Sequence, residues 1–395
     1  MKLVLKLKYH QVTSKLTEMY KYLYIDDTFD KLELGTVNGL QQGGEIEVKY
    51  MPPGPWEEKI IELVKILPDY NGLIIDLRLN DKPYEGNKKA QYRGSTVAQE
   101  IRTLVKEKKI VKDLPIFLIS ADQKLEESLD KTSYDLFDYV ISKNTLGNDE
   151  TGIGYKEFIL MLKSFADGYT FIEEKKDLES LFGKDKAKNL DTRFINEITS
   201  LFEHPNHVIV RFINKLFLTK TTSLINEEIL AARLGVNILD KNWSSFKETY
   251  MATFKYDGIL GLYFERWWWP EIENWWIENI SDENSIRSLT AKQRVDILNS
   301  KTGLNLEIQS KSEKSHSEKF WTVCKARKIP IDTVDGFLIT GQDNFYPWQE
   351  KEYISLDEAL RPKEIEKWKD IATTEYNRLK KLKDFYENAE QRIRR

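Results

Sequence analysis

Five polar residues follow directly on apolar runs. Asp26 and Asp27 follow Tyr22-Leu23-Tyr24-Ile25, and Asp76 closes Gly72-Leu73-Ile74-Ile75. Ser120 ends Pro115-Ile116-Phe117-Leu118-Ile119, and Lys143 follows Tyr139-Val140-Ile141-Ser142. Brought to one rim, these supply three carboxylates, a hydroxyl and an ammonium group. Three clustered carboxylates repel one another unless a cation joins them, and hard oxygen ligands favour Mg²⁺. A hydroxyl and a lysine beside a carboxylate can hold the oxygens of a phosphoryl group added to it. The chemistry this set predicts is that of an aspartyl phosphate.

Placing the five together requires parallel strands. The runs around 73–77 and 115–120 are apolar on both faces, as strands buried on two sides are. Helical periodicity fills the intervals: Ile60, Ile61, Leu63, Val64 and Ile66 up to a stop at Pro68, Val97, Ile101, Leu104 and Val105 within 95–112, then 125–137 and 155–167. Residues 2–9 alternate in a period of two, which predicts an additional edge strand. Alternating strands and helices imply a doubly wound α/β domain with a parallel five-stranded sheet. In such sheets the C-terminal ends of the strands converge at the topological switch point.

This set and its order resemble the response-regulator receiver family, the CheY-like domains of two-component signalling, over about residues 20–168. The resemblance implies a flavodoxin-like fold. It matches Asp26 and Asp27 to the acidic pair that binds Mg²⁺ together with Asp76. Asp76 in Leu73-Ile74-Ile75-Asp76-Leu77-Arg78-Leu79 matches the phosphoacceptor motif, Ser120-Ala121 the switch position, and Lys143 the lysine that pairs with the phosphoryl group. It implies a histidine kinase or phosphotransfer protein as donor and an output protein as receiver of the signal. Three departures stand out. The interval from Asp76 to Ser120 is long, the excess falling in the Lys- and Arg-bearing stretch 80–94. Glycines at 35, 39, 43 and 44 punctuate the segment where the family has its first helix, predicting a short one. Tyr139 sits one place before the position expected for the aromatic switch residue.

Bulk properties exclude several classes. The chain has 395 residues with 60 Lys plus Arg against 64 Asp plus Glu, and neither half is basic, so no nucleic-acid module shows in the bulk charge. A single cysteine, Cys324, excludes a disulfide framework and a cysteine zinc site and fits a cytoplasmic protein. No apolar run is long enough to cross a membrane. His204 with His207 offers two metal ligands only, and His316 with Cys324 lacks an orienting partner. No Walker, GxGxxG or Gly-x-Ser-x-Gly motif is present.

The expected organisation is a receiver-like domain with an extra N-terminal strand over 1–168, a Lys/Glu-rich connector over 169–192, a mostly α-helical output domain over 193–361 and a long helix over 362–395. In the output half, 226–236 reads as the first helix and glycine turn of a helix-turn-helix, or as a generic helical hairpin; the thin polar content of 237–246 favours the hairpin. Trp267, Trp268, Trp269, Trp275 and Trp276 crowd into ten residues, predicting either a core corner or a partner-binding hot spot. The polar stretch 308–319 reads as a flexible loop. The resulting expectation is a phosphorylation-dependent response regulator with a protein-interaction output and no enzymatic turnover beyond its own phosphotransfer. By analogy, receivers joined to unfamiliar helical halves point to specialised bacterial operons, phage-defence ones among them. A DNA-binding transcriptional regulator, a pseudo-receiver scaffold and an effector enzyme within 193–395 are the alternatives.

Overall fold

The computed structural model describes residues 19–28, 31–120, 133–149, 152–361 and 371–393. The predicted strand at 2–9, most of the predicted helix at 125–137 and the start of the predicted C-terminal helix at Pro362 lie outside them. The chain divides into two compact units, Met1–Lys176 with Phe202–Arg211, and Asp177–Leu201 with Phe212–Arg395.

The first unit is built on five parallel strands, β1 (Tyr20–Ile25), β2 (Ile46–Met51), β3 (Gly72–Asp76), β4 (Ile116–Ser120) and β5 (Tyr139–Ser142), in the spatial order β2-β1-β3-β4-β5. This is the flavodoxin-like order, with the chain reversing its direction of travel between β1 and β3. The central strands β3 and β4 are buried at every position, while edge strand β2 alternates buried and exposed residues. That contrast is what coverage on both faces demands. On one face, Leu23, Ile25, Leu73, Ile75, Ile116 and Leu118 pack with residues of α2 (Trp56–Ile66) and α3 (Gly94–Lys106). On the other, the ring of Phe117 meets Tyr22 and, from α4 (Tyr155–Glu174), Phe158 and Phe165 edge-on. Helix α4 has 20 residues and runs beyond its predicted end at 167.

The helix expected to be short, α1 (Lys31–Gln41), has 11 residues. Gly39 explains the conflict: a Cβ there would lie 2.4 Å from the Tyr155 ring of α4, so the glycine permits close helix packing and does not end the helix. Residues 133–136 form a 3₁₀ turn where the α-periodicity predicted the end of a helix.

In the second unit, helices alternate with short antiparallel ladders. The ladders pair Leu224–Ile225 with Trp267–Trp268, Thr322–Val323 with Pro330–Ile331, and Phe337–Leu338 with Tyr353–Ile354. One core gathers residues of α5 (Glu227–Leu234), the tryptophan segment and α6 (Ala291–Thr302); a smaller one surrounds Cys324, Phe337 and Ile354. The last described helix is α7 (Tyr376–Ile393). Among the described residues no helix is long and apolar enough to cross a membrane.

Candidate functional site

The strand order places the ends of β1 and β3 side by side, so Asp26 and Asp76 emerge from neighbouring strands at the switch point. Both are buried, at 1% and 7% exposure, where a lone carboxylate would be costly. Lys143, next after β5, answers that cost. Its Nζ lies 2.5 Å from Asp26 Oδ2 and 3.0 Å from Asp76 Oδ1, with its own side chain 8% exposed. Its backbone N–H donates to the Ser120 carbonyl at 2.8 Å, which pins the lysine to the end of β4.

Each carboxylate has further donors. Tyr24 Oη donates to Asp26 Oδ2 at 2.8 Å and the Thr28 amide to Oδ1 at 2.8 Å. Tyr50 Oη donates to the Asp26 carbonyl. The Arg78 amide donates to Asp76 Oδ2 at 2.7 Å. Both buried carboxylates share the Lys143 ammonium. Burial pushes the Asp76 carboxyl up to about 7, with Lys143 pulling it down and Asp26 pushing it further up. Helix α3 begins against this strand end: a Cβ on Gly94 would stand 2.1 Å from the Asp76 carbonyl oxygen. Ser120 is buried at the end of β4, one strand over, in register with Ser142.

Asp27 is placed differently from the sequence expectation. Its Oδ2 accepts the amides of Asp81 and Lys82, each at 2.6 Å, and its Oδ1 accepts the Thr28 hydroxyl at 3.0 Å. The long 80–94 stretch, which folds into a small hairpin pairing Pro83–Glu85 with Lys88–Lys89, therefore begins with a turn seated on Asp27. The expected trio of carboxylates is instead a pair bridged by lysine, with the third held by the loop. Among the described residues no group of three or more His, Cys, Asp or Glu is arranged to hold a metal ion. Asp26 and Asp76 fit a hard cation by donor type. Asp27 in this arrangement does not.

Sequence reasoning missed Tyr24 and Tyr50. The first was findable, since it lies two residues before Asp26 and so on the same side of the strand. It also missed a buried network behind the sheet. Arg102 Nη1 lies 2.8 Å from Asp113, and Nη2 lies 2.9 Å from Asp138, which also accepts from Tyr169 Oη. His207 donates its amide to Asp113 Oδ2 at 2.8 Å, with its ring Nδ1 at 2.8 Å from the same oxygen. His207 is thus tied to a carboxylate and not poised with His204 as a ligand pair.

The tryptophan cluster is core. Trp267, Trp268, Trp269 and Trp276 are 5% exposed or less, and Trp275 packs against the same cluster half-buried. The partner-binding assignment is corrected for Trp267, Trp268, Trp269 and Trp276, whose large apolar rings fill the interior of the second unit; Trp275 stays partly exposed at the edge of that core. The helix-turn-helix alternative fails on similar grounds. Residues Ile229–Leu234 of α5 are all buried, and the next helix, Trp243–Phe246, is 4 residues long and continues into a π-turn, so no exposed recognition helix follows. The 308–319 stretch is tied down, with Asp335 Oδ2 accepting from Ser315 Oγ and from the amides of His316 and Ser317. Cys324 is buried, and its sulfur accepts from the Ser355 amide.

No protein-family model matches the chain, and no curated protein matches it. Solved structures do. A response regulator receiver domain protein from Clostridium thermocellum is 12% identical, over 38% of this chain and 95% of that one, with a TM-score of 0.26. A pilus assembly-related protein from Burkholderia pseudomallei is 15% identical, over 38% of this chain and 90% of that one, with a TM-score of 0.25.

Proposed function

We propose that the first unit is the receiver of a two-component-like signalling protein and takes a phosphoryl group on Asp76. The observation that carries this is the Asp26–Lys143–Asp76 bridge, buried at the switch-point edge of a β2-β1-β3-β4-β5 sheet. In the proposed step an Asp76 oxygen attacks phosphorus, an acyl phosphate forms, and the donor's bond to phosphorus breaks with its electron pair leaving on the donor. Lys143 is placed to face the developing charge on the phosphoryl oxygens without reorganisation. Mg²⁺, when bound, would add positive charge for those oxygens, and Asp26 and Asp76 are the residues that would hold it. The Ser120 hydroxyl would turn to the added group, re-packing the β4–β5 face that a partner reads. The donor in this reading is a histidine kinase or phosphotransfer protein. The second unit is a protein-interaction output, and the chain performs no catalysis beyond its own phosphotransfer.

Asp27 favours a second reading. With its carboxylate occupied by the Asp81 and Lys82 amides, the unit would be a pseudo-receiver, a scaffold locked by its own loop. One experiment separates the two: intact mass after incubation with acetyl phosphate and Mg²⁺, on wild type and on Asp76→Asn. A gain of one phosphoryl group in wild type alone supports the first reading. No gain in wild type rejects it in favour of the second.

A further inference from the structure

In the second unit a cavity of about 160 Å³ is lined by five cationic side chains, Lys220, Arg266, Lys325, Lys328 and Lys351, and by a single carboxylate, Glu352. We propose that this cavity is an oxyanion site that seats the phosphate group of a small phosphorylated ligand.

Charge is the first argument. Glu352 is shared by two of the cations, at 2.7 Å from Lys325 and 3.7 Å from Lys220. Lys328 makes no ion pair among the described residues. Like charges crowded into a concave, partly buried space repel more strongly than they would in open water, and an anion in their midst reverses the sign of that interaction.

The cations are also held in place. Arg266 Nε donates to the Leu218 carbonyl at 3.0 Å and Nη1 to the Glu265 carbonyl at 2.9 Å, which fixes its guanidinium without neutralising it. Lys351 donates to the Gln342 carbonyl. Lys220 and Lys351 both stand over the ring of Phe345, at 4.6 and 5.1 Å from its centroid. Lys328 sits in the turn of the Thr322–Val323/Pro330–Ile331 hairpin at φ 59°, a left-handed conformation that a lysine adopts at a cost.

The rest of the lining fits the same ligand. Thr221 and Thr322 also line the wall, and hydroxyls with charged donors are what phosphate oxygens accept from; the Thr219 hydroxyl, which also lies there, is committed to the Lys215 carbonyl. Size sets the class. The volume lies below the roughly 300–1,000 Å³ of pockets that enclose a whole organic ligand. It suits one phosphate or a diphosphate, with the remainder of the ligand outside. A nucleic-acid backbone would instead need an extended basic stripe.

The site lies in the second unit and is independent of Asp76 phosphorylation. Its test is isothermal titration calorimetry on the full chain carrying Asp76→Asn, without Mg²⁺, using inorganic phosphate, pyrophosphate and ATP as probes. The expected result is saturable binding of pyrophosphate that weakens with salt. It should weaken about tenfold in Lys325→Gln and in Lys328→Gly, each loss being one charge-assisted contact. Lys328→Gly also relieves the left-handed strain, so a loss of binding there cannot be ascribed to misfolding. Lys292→Gln, on α6 and outside the lining, should bind as the parent does. ATP binding more tightly than pyrophosphate assigns a nucleotide, and equal binding assigns the free anion. Absence of saturable heat with all three probes overturns the proposal. So does binding that Lys325→Gln and Lys328→Gly leave unchanged, and so does retention of duplex DNA without binding of the small anions.

Discussion

Replacing Lys143 by methionine removes an ammonium group while leaving its stem. Its Nζ lies 2.5 Å from Asp26 and 3.0 Å from Asp76, among side chains 9% exposed or less. At an effective dielectric of about 20, each contact is worth roughly 6 kcal/mol before desolvation is subtracted. Burying three charged groups and setting two carboxylates near each other cancels most of that. Truncating one partner of such a buried pair costs about 3–5 kcal/mol, because the charge left behind has no counterpart. The expected loss is therefore ~3–5 kcal/mol, confined to the first unit. Nine of the ten tryptophans lie beyond residue 176, so tryptophan fluorescence is dominated by the second unit. The appropriate assay is hydrogen exchange read by mass spectrometry on peptides covering β1 and β3. Their protection should fall by about two to three and a half orders of magnitude, at about 1.4 kcal/mol per tenfold. Adding Asp76→Asn to Lys143→Met should recover more than half of the loss, since it removes one of the two stranded charges. A single variant that changes protection by less than threefold would refute the reasoning. So would a double variant no more stable than the single.

Asp27→Ala removes the acceptor of the Asp81 and Lys82 amides. It should raise exchange across 78–93 at a local cost of about 1–3 kcal/mol while β4 peptides stay protected; unchanged exchange in the loop would show that the turn holds itself. Acid should loosen the first unit through His207. Burial outweighs the bonds His207 makes to Asp113 and holds its imidazole below the usual histidine range, so the folded state resists the proton that the unfolded state takes up. That contribution is present above about pH 6.5, the unfolded value, and is lost as pH falls below it toward the folded value. His207→Gln should flatten this part of the stability–pH curve, measured by urea denaturation of the first unit, and a curve of unchanged slope would count against it.

The sheet was legible because its strands announce themselves chemically. Runs such as Leu73-Ile74-Ile75 and Ile116-Phe117-Leu118-Ile119 are apolar on both faces, and their polar terminators fall where the switch point gathers them. The Asp26–Lys143–Asp76 bridge was therefore readable as a set. The turn of the 80–94 stretch on Asp27 was not, because its bonds come from backbone amides, which leave no trace in residue identity. Glycines misled in α1 for a related reason: at Gly39 the missing Cβ serves a neighbouring ring on α4, a tertiary fact that local propensity does not carry. The tryptophans misled by their density. Successive rings do not share one helix face, but Trp267 and Trp268 lie on a strand and Trp269 opens a helix, so all three reach the interior by a change of backbone.

The cationic cavity was hidden by averaging. The formal net charge is −4, and bulk counts of that kind speak to solubility and long-range attraction, not to local fields. Lys220, Arg266, Lys325, Lys328 and Lys351 come from four separate stretches of chain, around 220, 266, 325–328 and 351. Only the ladders of the second unit and the turn at Lys328 bring them to one wall. The same averaging conceals the site at β1 and β3, where two buried carboxylates share one ammonium. A near-neutral chain can thus hold one site built around carboxylates and another built around cations. Each group is small against 60 basic and 64 acidic residues, yet each is concentrated where the dielectric is low and a unit of charge decides what binds.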